Sequence, residues 1–376
     1  MLALTGTPLQ IVACLLAVLA FAATMWLWPK LAGKGWKALL GRLGAFAGTQ
    51  VMVLVAMGLV ANSYFGFYTS WTDLLGTAGG PGTVVDHKPS NALSVTGEQK
   101  VYSSQGSAKD RSGVIQKVSL TGAESGLSSS AYVYLPPQYF QTAYAGQKFP
   151  MALVLSGYPG SAEKLISLMQ WPTSTLTAID AKQLPPTVLV MMRPTLAGNR
   201  DTECVDVPHG PQVETFFTED LPKVLAGGYR ILPDAAAHAA MGDSTGGYCA
   251  LKFALRKPGS YGAAISLSAD YTAAEDPTTG DLFGGSAQLK QENDLLWRLR
   301  NAPAAPVSLL LATSYNEDNY KATQQMVAAF KSPTQLSTIT LDSGGHNFHT
   351  WSREIPPALE WLGRHLTAPG TGAASA

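Results

Sequence analysis

Gly242-Asp243-Ser244-Thr245-Gly246 reads G-x-S-x-G, and what flanks it decides the fold. An apolar segment, residues 237–241, runs into it. A stretch rich in Ala, Leu and Phe, residues 245–256, runs out of it with helical spacing. Strand, sharp turn, helix is the setting in which a serine is lifted above the edge of a sheet. Side-chain bulk at Gly242 or Gly246 would clash with neighbouring backbone in such a turn. The helix that follows aims its N-terminal dipole and free N–H groups at any negative charge that develops beside Ser244. Gly-Asp-Ser also occurs in chymotrypsin-like proteases, but the extra Thr245 and the surrounding strand–helix alternation argue against that fold.

Outward from this turn the chain keeps alternating. Residues 114–120 and 130–135 alternate apolar and polar, as half-buried strands do. Residues 151–155 and 187–192 are continuous apolar runs, as buried parallel strands are. A helix is expected over 212–225, a strand over 262–267, a strand over 307–311 with a helix at 320–330, and a last strand over 336–341 with a closing helix at 356–365. The pattern predicts an α/β domain over 114–368 with a mostly parallel central sheet covered on both faces. Residues 273–302 interrupt the rhythm as an insertion expected to lie over the site.

A serine nucleophile needs a base and an acid, in the chain order Ser, acid, His. Of six histidines, His346 and His349 follow the last strand. His346 is preferred because Gly344-Gly345 let its loop fold back on the strand ends, and His349 is the alternative. His238 and His365 are expected to be structural and solvated, His87 lies before the domain, and His209 is a loop residue able to line the site. The acid should follow the strand at 307–311, where Glu317 and Asp318 stand side by side; Glu317 is favoured and Asp318 kept. The oxyanion hole needs two backbone N–H groups. Thr245 supplies one, and Tyr158 of the loop Ser156-Gly157-Tyr158-Pro159-Gly160 the other, since Pro159 has none. Trp171, Trp297 and Trp351 suggest an apolar or sugar-stacking rim.

The elbow, the Ser156–Gly160 loop and Gly344-Gly345-His346-Asn347-Phe348 with Trp351 together resemble the Putative esterase family of α/β-hydrolases. Esterase D-like enzymes, feruloyl esterases and the mycolyltransferases of the mycobacterial envelope belong to that family. The resemblance covers about residues 114–366. Membrane-anchored actinobacterial members look most similar, with Arg200-Asp201-Thr202-Glu203-Cys204 upstream of the elbow. Many members carry Asp as the acid; Glu317 resembles the mycolyltransferases instead. The resemblance implies a serine esterase working through an acyl-enzyme. Two alternatives stand beside it: an acyltransferase moving the acyl group to a sugar or lipid hydroxyl, and an anchored binding protein without catalysis.

Composition sets the location and the exclusions. The 376 residues carry no net charge, and only 14% are charged, against roughly 25% in an average soluble domain. A neutral balance speaks against nucleic acid as a partner. No metal-ligand spacing or phosphate-binding glycine loop occurs, so neither metal nor cofactor is expected. The missing charge is concentrated in residues 1–72, whose only charged side chains are Lys30, Lys34, Lys37 and Arg42. Residues 9–28 and 43–67 are uncharged runs, each long enough to cross a hydrocarbon core of roughly 30 Å. Trp26, Trp28 and Trp36 at one end, and Tyr64, Phe65, Phe67, Tyr68 and Trp71 at the other, have the look of interfacial belts. All four basic residues lie between the runs, which puts that connection in the cytoplasm and both ends outside. A signal peptide wants a basic segment before its apolar run, and residues 1–8 have none. Residues 1–72 are therefore expected to form a transmembrane hairpin, residues 73–113 a flexible linker, and residues 369–376 a disordered tail. In an oxidising exterior Cys204 and Cys249 are free to pair; Cys14, in the first apolar run, serves as apolar filler.

Overall fold

The structure is a computed structural model and describes residues 4, 6–65, 68, 71–75, 92–198 and 200–368. His87, Phe67, residues 76–91 of the expected linker and the tail at 369–376 lie outside the described residues. The chain divides into two compact units, residues 1–87 and 88–376.

In the first unit, helices Thr7–Leu27 and Trp36–Phe65 pack against each other. The second starts seven residues before the expected apolar run, so Lys37 and Arg42 sit in its first turns. Small residues line the seam, with Ala13, Ala17 and Ala56 buried. Close approach lets Thr24 and Thr49 clasp across it, their hydroxyls 2.7 Å apart. The single Thr49 hydroxyl proton has the Ala45 carbonyl at 3.0 Å and the Ala20 carbonyl at 3.3 Å as acceptors. The outer faces leave Leu15, Val18, Leu19, Phe21, Leu43 and Leu54 exposed. Both helices are long and apolar enough to cross a membrane.

The second unit is built on a nine-stranded sheet. Its strands are β1 (Leu93–Lys100), β2 (Val114–Thr121), β3 (Ser128–Leu135), β4 (Met151–Leu155), β5 (Val188–Met192), β6 (His238–Asp243), β7 (Ala263–Leu267), β8 (Ser308–Ser314) and β9 (Gln335–Leu341). The order is β1-β2-β3-β5-β4-β6-β7-β8-β9. The first three strands and the β3–β5 pair are antiparallel, and from β5 to β9 all pairs are parallel. The period-two geometry of β4 sends Leu153 and Leu155 into the core on one face and Ala152 and Val154 into that on the other. Helix Thr245–Arg256 covers the first face and Phe348–His365 the second.

Three expectations need correcting. Residues 73–113 are not linker throughout, since β1 lies within them and pairs with β2 along its whole length. It is an edge strand held by its backbone ladder, and six of its eight side chains are exposed, so it lacks the apolar alternation that marks a strand in sequence. The closing helix begins at Phe348, eight residues before the expected start. Asn347 caps it, its Oδ1 accepting from the N–H groups of His349 and Thr350, and Pro356-Pro357 lie inside it rather than at its start. Helix Trp171–Asp180, between β4 and β5, was not anticipated; its Trp171 is fully buried and no rim residue.

Candidate active site

In open α/β sheets, ligands bind beyond the carboxyl ends of the strands where the strand order reverses. Here the chain steps from β4 outward to β5, then returns to lay β6 on the other side of β4. Ser244 is the first residue after β6, so it stands at that reversal. Its backbone is at φ 52°, ψ −126°, a strained conformation for a residue with a side chain. Its N–H extends the ladder to Leu267, and its carbonyl accepts the first helical bond from Tyr248. A methyl group on Gly242 or Gly246 would run into the Leu155 carbonyl oxygen, so the turn closes only with glycine at both positions.

His346 arrives from the loop after β9. In the tautomer with the proton on Nδ1, the Ser244 hydroxyl donates to its Nε2 at 2.8 Å. Thr350 holds this loop by accepting from the Gly345 N–H at 2.9 Å. The Trp351 ring, 6% exposed, meets the imidazole edge to face at 5.1 Å. His349 is exposed, and the Ser244 hydroxyl bonds to His346 rather than to it.

The two acid candidates differ in burial. Glu317 is buried, with Oε2 accepting from the Ser314 N–H at 2.8 Å and Oε1 without a partner; Asp318 is exposed. Neither oxygen of Glu317 is hydrogen-bonded to His346, so the third link of a triad is open in this structure. Catalytic hydrogen bonds often tighten only when substrate is bound.

The loop after β4 lies against the nucleophile: a Cβ on Gly157 would stand 2.9 Å from that of Ser244. The Gly157 N–H is committed to Asp243, donating to Oδ2 at 2.8 Å. Tyr158 is the next residue along this loop, and Thr245 lies in the first turn of its helix, where N–H groups have no intrahelical partner. Asp243 is fully buried, its Oδ1 is unpartnered, and burial pushes its carboxyl up to about 7 against the opposing pull of backbone N–H groups. It joins the elbow to the Ser156–Gly160 loop, a role that sequence reasoning missed because the x positions of G-x-S-x-G carry no rule.

The remaining histidines are placed elsewhere. Buried His238 contacts the carbonyls of Leu232 and Ser260, and burial lowers its pKa. His365 is half-buried and stacks on Trp361, rather than standing in solvent. His209 is exposed. The insertion forms helices Ala287–Glu292 and Leu295–Asn301 and borders a cavity of about 430 Å³ lined by Thr272, Glu275, Phe283, Lys290 and Asp294 among others. Neither Ser244 nor His346 lines it.

Cys204 and Cys249 are joined in a disulfide, tying the segment 200–204 to the helix that follows Ser244. Lys252 of that helix, fully buried, donates to the Glu203 carbonyl at 2.7 Å. Arg200 reaches the carbonyls of Thr279 and Asp281 in the insertion. No group of three or more potential metal ligands occurs among the described residues.

Residues 124–362 match the family model described as Putative esterase. The chain belongs to the Putative esterase family. Those residues are accordingly a serine hydrolase domain of esterase type. An uncharacterized protein of Corynebacterium glutamicum is 24% identical over 277 residues. That match takes in 67% of this chain and 62% of the relative's length. An S-formylglutathione hydrolase from Agrobacterium tumefaciens shares the fold at TM-score 0.58 and 15% identity, over 73% of this chain and 99% of that one. A ferulic acid esterase does so at TM-score 0.56 and 16% identity, over 67% and 98%. At these identities the likeness speaks for the fold alone.

Proposed function

We propose that the protein is a membrane-anchored, extracytoplasmic serine esterase that cleaves carboxylic esters through an acyl-enzyme on Ser244. The observation that carries this reading is the 2.8 Å contact of Ser244 Oγ with His346 Nε2 on a strained turn at the strand-order reversal. Ser244 Oγ attacks the ester carbonyl while its proton passes to His346 Nε2. The tetrahedral oxyanion is met by the N–H groups of Thr245 and Tyr158. Collapse expels the alcohol, which takes the proton back from His346. Water, deprotonated by the same imidazole, then releases the acid. Glu317 is the orienting acid in this scheme, since it is the buried one of the pair and keeps Oε1 available to the Nδ1 proton of His346.

The location rests on residues 1–72. Apolar outer faces on both helices suit hydrocarbon as their solvent. The basic residues cluster at the turn between the helices, where Arg42 donates to the Gly33 carbonyl and Lys30 lies over the Trp26 ring. The positive-inside rule then puts the turn in the cytoplasm and the hydrolase domain outside.

Fluorophosphonate labelling of the full chain in detergent tests the chemistry, with Ser244→Ala, His346→Ala and His349→Ala alongside. The parent and His349→Ala should label; Ser244→Ala and His346→Ala should not. An unlabelled parent would refute the proposal.

A further inference from the structure

Glu354 is a carboxyl the scheme above does not use, and its surroundings are unusual. It is 0% exposed, and neither of its oxygens has a hydrogen-bond partner. An unpaired carboxylate in such a place costs far more than a neutral carboxyl does. The residue sits on the closing helix three and four positions beyond Trp351 and Thr350, hence on the same face. That face is the one that packs against the His346 ring and holds Gly345.

The groups around it come from four elements. Glu317, after β8, acts on Glu354 most strongly, followed by Arg353 on its own helix and Asp243 at the end of β6. Tyr271, beyond β7, feels both Glu317 and Glu354 and keeps its hydroxyl 2.7 Å from that of Thr323. Arg353 opposes the two carboxylates, but its guanidinium is engaged with the Ser343 carbonyl. Gly344, two residues before His346, lies against both Ser314, which holds Glu317, and Thr350, which shares the face of Glu354; each of these buried carboxyls keeps an unsatisfied oxygen, Glu317 Oε1 and both oxygens of Glu354.

We propose that Glu354 is a positioning residue that, as a neutral carboxyl, donates its proton to Oε1 of Glu317 and so fixes the acid behind His346. This rests on the reading of Glu317 as the triad acid. A carboxylate oxygen has two lone pairs, so Oε1 can accept from Glu354 on one side and from Nδ1 of His346 on the other. With Oε2 already held by Ser314, the Glu317 carboxylate then has every direction fixed. Burial, with Glu317 and Asp243 adding to it, pushes the Glu354 carboxyl up to about 8. Above that pH the donor is lost and two carboxylates face each other.

The test is the pH profile of p-nitrophenyl butyrate hydrolysis by the full chain in detergent, for the parent, Glu354→Gln, Glu354→Leu and Glu317→Gln. Glutamine keeps a neutral donor of the same shape, so Glu354→Gln should stay within about threefold of the parent at pH 7 and lose the parent's decline above pH 8. Glu354→Leu keeps the apolar packing without the donor and should lose at least tenfold in kcat with KM within threefold. Equal damage in the two Glu354 variants, an undamaged leucine variant, or an alkaline decline unchanged in Glu354→Gln would overturn the proposal. Should the leucine variant fail to fold, the alkaline decline in Glu354→Gln decides alone. A fully active Glu317→Gln would remove the acid assignment itself, an outcome distinct from failure of the Glu354 variants alone.

Discussion

Replacing Asp243 by Asn changes one atom at the most buried carboxyl of the elbow and should separate its two roles. As a hydrogen-bond acceptor, Asp243 holds the Gly157 N–H at 2.8 Å. The amide oxygen of Asn can do the same, so kcat/KM should stay within a few-fold of the parent. As an acid, Asp243 is pushed from the usual aspartate range to about 7 by burial. The folded state then keeps the proton to higher pH than the unfolded chain, whose aspartates titrate at about 3.9. Folding therefore binds a proton between about pH 4 and 7, and the parent loses stability as pH rises through that window. The full loss is about 4 kcal/mol at about 1.4 kcal/mol per pH unit of displacement, and about 2.5 kcal/mol of it falls between pH 5 and 7.5. Asn does not titrate. Denaturant unfolding of parent and Asp243→Asn, followed by near-ultraviolet circular dichroism, should show the variant gaining on the parent by roughly that amount between pH 5 and 7.5. Stability curves that run parallel across that range would refute the assignment of a buried, neutralised carboxyl. Asp243→Ala supplies the contrast: an orphaned Gly157 N–H costs about 1–3 kcal/mol, which is roughly 5- to 150-fold if it falls on the transition state.

Three further outcomes are expected. Gly246→Ala puts a methyl group against the carbonyl oxygens of Leu155 and Ser156, so fluorophosphonate labelling should fall by at least about a hundredfold even where folded protein is recovered. Glu317→Gln should lower kcat by about 10²- to 10⁴-fold while Asp318→Asn, an exposed change, stays within twofold, as read by steady-state ester hydrolysis. Removing the disulfide with Cys204→Ser and Cys249→Ser should cost about 4 kcal/mol, given a sequence separation of 45, and chemical denaturation of the oxidised parent beside the double variant measures it.

The parallel half of the sheet was legible because its strands, such as Met151–Leu155 and Ala263–Leu267, are buried on both faces and read as unbroken apolar runs. The helix after Ser244 begins and ends where its pattern does. β1 was illegible for the opposite reason: it is held at the sheet edge by backbone bonds, which leave no trace in side-chain periodicity. The start of the closing helix was missed because Pro356-Pro357 were read as its beginning, whereas the signal was the capping Asn347. In the site, residues bound to a motif position by chemistry were readable, and Ser244 and His346 do meet. The choice between Glu317 and Asp318 turns on burial, which a pair of adjacent acids does not reveal. Asp243 and Glu354 were invisible as functional candidates, because a carboxyl in a strand end or a helix reads as a surface charge until its neighbours are known.

The Cys204–Cys249 bridge closes a covalent ring around β6 and Ser244. Within this ring, Pro208, His209 and Gly210 form an exposed loop tip, the kind of site that proteases reach first. A single cut there would break the peptide chain without releasing either half. The segment from the hairpin to Cys204 would remain bonded, sulfur to sulfur, to the helix behind the nucleophile. Such a nicked molecule would run as one species without reductant and as two with it, and the piece bearing Ser244 would still be fastened to the N-terminal piece.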